Sequence, residues 1–222
     1  MKLSVSRWGD PKGLPVVLLH AFPMSGAMWE PQKEALKAFD VHVPDLRGFG
    51  NSPLTAPWLI EHAAADVLES VPQNSVIVGL SMGGYVALQC AVKAKALVLC
   101  DTRAEPDANE NKAKRAAAID FVREHGVEAF LGPFLKDAVH NGKVQPFLHG
   151  VAAKSTPQAV MAALAALAAR PDGTLGLAKI TVPTAILVGS QDKITPLPLS
   201  ELMRSRIAGA ELHIIPDAGH FS

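Results

Sequence analysis

The sequence predicts an α/β protein: a mostly parallel central sheet with helices on both faces and a helical insertion at one edge. Three observations predict it. Short runs rich in β-branched residues, apolar on both faces, recur along the chain, as strands covered on both sides require. Helix-patterned segments separate them, the alternation that builds a parallel sheet. One long interval, from Asp101 to Pro183, breaks the rhythm and carries only helical patterns.

The strand-like runs are LPVVLLH (14–20), FDVHVPD (39–45), SVIVGLS (75–81), KALVLCD (95–101), PTAILVG (183–189) and AELHII (210–215). KLSVSRWG near the start adds an edge strand. Helices are expected over 29–38, 60–70, 82–94 and 197–207. Within the long interval, 108–124, 127–136 and 157–170 read as helices, with Gly132, Pro133, Gly142 and Pro146 as breaks. VMAALAALAAR is too short to cross a bilayer, and its alanines favour a packed helix. The division that follows is a core of 1–102 and 176–222 with a helical cap of 103–175.

A chain of 222 residues suits one domain, or one domain with a large insertion, and 49% hydrophobic residues are enough for a sizeable core. Lys and Arg together number 21 and so do Asp and Glu, giving a net charge of zero. Phosphate backbones need a basic face, so a nucleic-acid partner is not expected. The cluster NKAKRAAAID reads as a solvated helix face. The N-terminus carries no signal pattern and no apolar run is long enough to span a membrane. Cys90 falls in a helix-like run and Cys100 in a strand-like run, so both read as packing residues and the cytoplasm is the default setting. The histidines show no metal-ligand spacing and no Gly-x-Gly-x-x-Gly follows a strand, so neither metal nor cofactor is expected. Assembly into a homo-oligomer is left open.

The chemistry concentrates at one junction. In SVIVGLSMGGYVALQ (75–89) a strand turns straight into a helix, which presents the junction residue, Ser81, at the carboxyl edge of the sheet, where open α/β sheets bind ligands. Gly79 and Gly83 flank it as Gly-x-Ser-x-Gly, small because neighbouring backbone passes close. A serine nucleophile needs a base and the base an orienting acid. His220, in PDAGHFS, and Asp192, in VGSQDKITP, each follow a predicted strand and share that edge. Asp101, also at a strand end, is the rival acid. Asp217 is too near His220 in sequence to orient it easily. The oxyanion of a tetrahedral intermediate needs amide donors. The residue after the serine, Met82, supplies one at its helix N-terminus, and Phe22, in the loop after VVLLH, supplies the other. His20 reads as a structural brace of that loop.

The chain resembles the α/β-hydrolase superfamily, specifically its esterase, enol-lactonase and cofactor-free perhydrolase branches, nearly end to end. LLHAFP is similar to the oxyanion loop of that family, PDLRGFGNS to its Asp-x-Arg-Gly-x-Gly-x-Ser segment, GLSMGG to the nucleophile turn, GSQDKITP to the acid loop and AGHFS to the histidine loop. LVLCDTRAEPD resembles the entry to the cap. The resemblance implies a serine hydrolase of small to medium carboxylic esters working through an acyl-enzyme. Lactone opening, perhydrolysis, and a slow or non-catalytic ligand-binding protein use the same residues and stay open. The implied partner is a small-molecule ester or lactone.

Two departures from the family pattern bear on the site. Ala21 stands where glycine is usual, which a methyl group tolerates if φ stays negative. Relatives carry a further helix after the histidine, whereas Ser222 stands two residues past His220, so the histidine loop is expected to be less supported. Asp45 and Arg47 read as a buried or half-buried charge pair ordering the loop beside the site. Met24, Trp29, Phe130 and Phe134 are expected to wall an apolar substrate pocket.

Overall fold

The computed structural model of the chain describes residues 1–56, 58–140 and 142–222. Seven strands form one sheet in the order β1-β3-β2-β4-β5-β6-β7: Val5–Gly9, Pro15–Leu19, Asp40–Pro44, Val76–Leu80, Ala96–Cys100, Thr184–Gly189 and Glu211–Ile215 in chain order. Only β1 is antiparallel, pairing with β3; every other pairing is parallel. All seven expected strands form, six within a residue of their expected ends and β1 starting three residues into KLSVSRWG. The inner strands carry Val17, Leu19, Ile77, Leu99 and Ile186 almost without exposure, because helices cover both faces.

The helices are α1 (Ile60–Ser70), α2 (Met82–Cys90), α3 (Asn109–Ala138), α4 (Gln145–Ala152), α5 (Pro157–Ala169), α6 (Thr174–Leu177) and α7 (Leu197–Arg206). Four expectations are corrected. Segment 29–38 is not an α-helix: a 3₁₀ helix, Gly26–Gln32, passes into turns, with Pro31 denying a backbone donor there. The expected helix 82–94 ends at Cys90 and tightens into a 3₁₀ turn, Ala91–Lys93. The break expected between helices 108–124 and 127–136 is present: α3 is two helical stretches that meet at Gly126, whose non-helical φ of 80° glycine adopts without strain. Gly132 and Pro133 lie inside α3 rather than ending it. Pro146 starts α4 instead of breaking a helix, since a proline in the first turn gives up only a donor with no partner.

Between β5 and β6 the described residues form helices and their connections with no strand, and α5 packs along α3. The expected core boundary, between 175 and 176, falls inside α6. The alanine-rich α5 buries Val160, Ala163, Leu164 and Leu167, as expected of a packed helix. No single helix among the described residues is long and apolar enough to cross a membrane. Cys90 and Cys100 are free and buried, and burial pushes both thiols up to about 12.

Candidate active site

The central strand β4 delivers Ser81 at its carboxyl end. Ser81 has φ 53° and ψ −111°, a strained conformation for a residue with a side chain, and α2 starts at the next residue. Why glycine flanks it is visible in the packing. A Cβ on Gly79 would lie 2.5 Å from the carbonyl carbon of Gly83, and one on Gly83 would lie 2.6 Å from that of Leu19. Neither approach involves a side chain that can rotate away. Thr102, just past β5, holds the turn by donating its hydroxyl to the Ser81 carbonyl at 2.9 Å. The Ser81 amide donates to Cys100 O at 2.9 Å. Sequence reasoning passed over Thr102, because a threonine one residue beyond a strand carries no local signal.

Ser81, His220 and Asp192 come together from three strand ends. His220 Nε2 lies 2.8 Å from Ser81 Oγ, and His220 Nδ1 lies 2.9 Å from Asp192 Oδ2. His220 and Asp192 are both buried. The Asp192 carboxylate also accepts from the Ile194 and Thr195 amides at 2.8 and 3.0 Å, and from the Thr195 hydroxyl at 2.6 Å. Burial alone would raise the Asp192 pKa; the hydrogen bond and charge of His220, with the Thr195 donors, reverse this and hold it below the usual carboxylate range. An ionised acceptor fixes the donor at the other end: Nδ1 carries the proton and Nε2 is left to accept from the serine. Thr195 Oγ, 3.2 Å from Nδ1, gives its own proton to Asp192 and so faces the imidazole as an acceptor. The Asp-x-x-Thr spacing of 192–195 is the signal that would have found Thr195, since it is the spacing at which one side chain caps another backbone turn.

Asp101 makes no hydrogen bond to His220 among the described residues. Its φ is 43°, it is fully buried, and its carboxylate accepts from Gly189 N at 2.8 Å and from Ser222 N and Oγ at 3.0 and 2.6 Å. Burial raises its pKa despite these donors. The rival acid therefore holds the ends of β6 and of the histidine loop. That loop has a second tie: His220 N donates to Ala138 O, the last residue of α3, at 2.9 Å. The expectation of a less supported histidine loop is corrected to this extent: Asp101 and α3 both fasten it. Asp217, with φ 53°, sits in the turn before it and donates its amide to Ser190 Oγ.

The loop after β2 begins beside the Ser81 turn, because Leu19 pairs with Gly79 across the sheet. His20 is fully buried there. Its Nε2 accepts from Leu46 N at 2.9 Å, so its proton is on Nδ1, which lies 2.9 Å from Ala21 O. Burial pushes its pKa down to about 4, so it stays neutral, a brace rather than a base. Ala21 keeps a negative φ, as its methyl group requires. The Phe22 amide has no acceptor among the described residues, and the Met82 amide, first in its helix, has none within that helix.

Arg47 and Asp45 are not paired with each other, which corrects the expected charge pair. Both Arg47 and the N-terminal amine bind Asp66 of α1, while Asp45 accepts from the Gly26 and Asn51 amides at 2.8 and 2.9 Å.

The pocket residues separate. Phe130 and Phe134 of α3 stack on each other and meet Phe22 edge-on, with centroids 6.1 and 5.8 Å away, and all three line a cavity of about 320 Å³. Trp29 lines a smaller one of about 120 Å³ with Leu80 and Phe221, the neighbours of Ser81 and His220. The expectation for Met24 is corrected: it is fully buried in the core and lines neither. A larger cavity, about 660 Å³, lies beside β1 and Asp45; like the other two it is not lined by Ser81, Asp192 or His220 themselves, and unlike them it holds no predicted pocket or oxyanion residue and no sequence neighbour of the three. Size alone does not mark the site here.

Residues 16–222 match the model of the alpha/beta hydrolase family. The chain is 30% identical to the pimeloyl-[acyl-carrier protein] methyl ester esterase of Chromobacterium violaceum, over 99% of this chain and 91% of that protein. It resembles the malate-bound thermophilic esterase of Thermogutta terrifontis, with a TM-score of 0.90, 36% identity, and 99% and 86% of the two chains covered. The enol-lactonase of Burkholderia xenovorans LB400 shares the fold, with a TM-score of 0.90 at 24% identity over 99% and 90%. The chain belongs to the alpha/beta hydrolase family. Within it, this chain stands with the carboxylic ester hydrolases.

Proposed function

We propose that the protein is a serine esterase of small to medium carboxylic esters, with Ser81 as nucleophile, His220 as general base and acid, and Asp192 as the orienting carboxylate. The observation that carries the reading is the hydrogen-bonded chain from Ser81 Oγ through the imidazole to Asp192. His220 Nε2 takes the Ser81 proton as Oγ attacks the ester carbonyl. Asp192 stabilises the imidazolium that forms, which its depressed pKa favours. The Phe22 and Met82 amides donate to the developing oxyanion, the second assisted by the positive end of α2. His220 returns its proton to the leaving alcohol, then activates water to free the acyl group from Ser81.

Segment 103–175 serves as the cap over this edge in the same reading. The curated relatives named as methyl ester esterases support a small leaving alcohol. The two unpaired cysteines support a reducing, cytoplasmic setting.

The test is a panel of chromogenic esters of increasing acyl length, run beside Ser81→Ala. The wild type is expected to turn over short activated esters. Ser81→Ala is expected to lower kcat by about 10⁴-fold or more. Unchanged turnover in that variant removes the mechanism.

A further inference from the structure

The cavity lined by Phe22 carries two chemically different sets of side chains. One is apolar: Phe22, Phe130 and Phe134 with Leu164 and Ile194. The other is cationic, Arg103, Lys114, Arg115 and Lys193, and no carboxylate lines the cavity among the described residues. The whole chain has a net charge of zero, so this excess of cations is local.

The arginines are fixed by one shared counter-ion. Arg103, Arg115 and Arg170 all bind Asp107, whose side chain is fully buried. Arg170 is committed elsewhere as well: it donates to the carbonyls of Leu167 and Glu105 and stacks 4.3 Å from the centre of the Tyr85 ring. Arg103 and Arg115 have no acceptor but Asp107 among the described residues. A guanidinium carries several N–H donors in a planar fork, so each keeps most of them for a ligand. One carboxylate cannot neutralise three arginines. Lys193 follows Asp192 directly, lines the same cavity and has no ion pair among the described residues. Lys114 is taken up by Glu110 at 2.8 Å and adds little.

Resting on the esterase reading above, we propose that this cavity takes the far end of an acyl chain bearing a free carboxylate, so that half-esters of dicarboxylic acids are preferred substrates. The methylene chain lies against the phenylalanines. The carboxylate meets Arg103, Arg115 and Lys193. The ester carbonyl is left near the amide of Phe22, whose side chain lines the same cavity. A neutral diester packs against the apolar set but leaves the cations without a partner.

The experiment compares monomethyl adipate with dimethyl adipate, following methanol release by the full chain. The half-ester is expected to have a kcat/KM about tenfold above the diester at low salt, the effect of one or two charge-assisted hydrogen bonds. The preference is expected to shrink in about 0.5 M NaCl, which screens exposed charges. Arg115→Gln and Lys193→Gln are each expected to lower the half-ester to diester ratio by about threefold to tenfold. Lys193 is exposed and outside the Asp107 cluster, so its variant is informative even if Arg115→Gln folds poorly. Diester cleavage with no preference for the half-ester in wild type, or a ratio unmoved in Lys193→Gln, overturns this inference and leaves the esterase intact. Cleavage of neither ester, nor of any chromogenic ester, overturns the esterase reading itself.

Discussion

His20 makes the stability of the fold dependent on pH, and the size of the effect follows from its surroundings. Its pKa is pushed down to about 4 by burial, against about 6.5 for a free imidazole. A histidine whose folded pKa is depressed binds protons more readily when unfolded. Its contribution is complete above pH 6.5 and is lost as pH falls from there towards 4. Between pH 8 and 5.5 linkage gives a loss of about 1.4 kcal/mol, and the full difference of about 2.5 units corresponds to roughly 3 kcal/mol. That upper window matters because the depressed carboxylates Asp192, Asp107 and Asp66 remain ionised throughout it and contribute no slope. The perturbation is His20→Gln, whose amide can still accept from Leu46 N. Urea denaturation of both proteins at pH 8 and 5.5 measures it. The variant is expected to be less stable overall but to lose about 1.4 kcal/mol less on acidification, since glutamine does not titrate. An identical pH dependence in both proteins would mean that His20 is not the buried neutral group described, and the reasoning fails.

Three further predictions concern the edge where Ser81 stands. Asp192→Asn should leave the fold intact but lower kcat by roughly 10³–10⁴-fold, because an amide can hold the wrong imidazole tautomer; steady-state kinetics read this. Gly83→Ala should cost about 3 kcal/mol or more, as the added methyl meets the Leu19 backbone rather than a movable side chain; thermal unfolding is the check, and a midpoint within a degree or two of wild type refutes it. Asp101→Asn places an NH₂ where Oδ2 accepts from Ser222 and should slacken the histidine loop, lowering kcat about tenfold. Because burial raises the Asp101 pKa, its ionised form is a cost to the fold above that pKa, so the thermal midpoint should hold or rise while kcat falls.

The fold was legible in the sequence because its signals are local. Seven apolar runs bounded by turn residues gave seven strands, and the strand-free interval gave the helical segment between β5 and β6. Helix ends were less legible where proline has two roles. Pro146 opens α4 and Pro133 lies within α3, while Pro31 sits in a 3₁₀ turn, and only the packing around each decides which.

Ser81, Asp192 and His220 were nominated by position alone, each at the end of a predicted strand. In a parallel sheet, all such ends must share one edge. Their spacing within hydrogen-bonding distance was not in the sequence. It depends on the strand order, which sets β4, β5, β6 and β7 side by side.

By itself the sequence determined the strands, the strained serine turn and the residue types brought to one edge, since backbone sterics and side-chain periodicity act over a few neighbouring positions. Tertiary structure alone decided the partners. It gave Asp192 rather than Asp101 to His220, Asp66 rather than Asp45 to Arg47, and Asp107 to three arginines at once. Which carboxylate meets which cation is a matter of burial and distance between segments far apart in the chain, 63 residues for Asp107 and Arg170, and no local pattern encodes that.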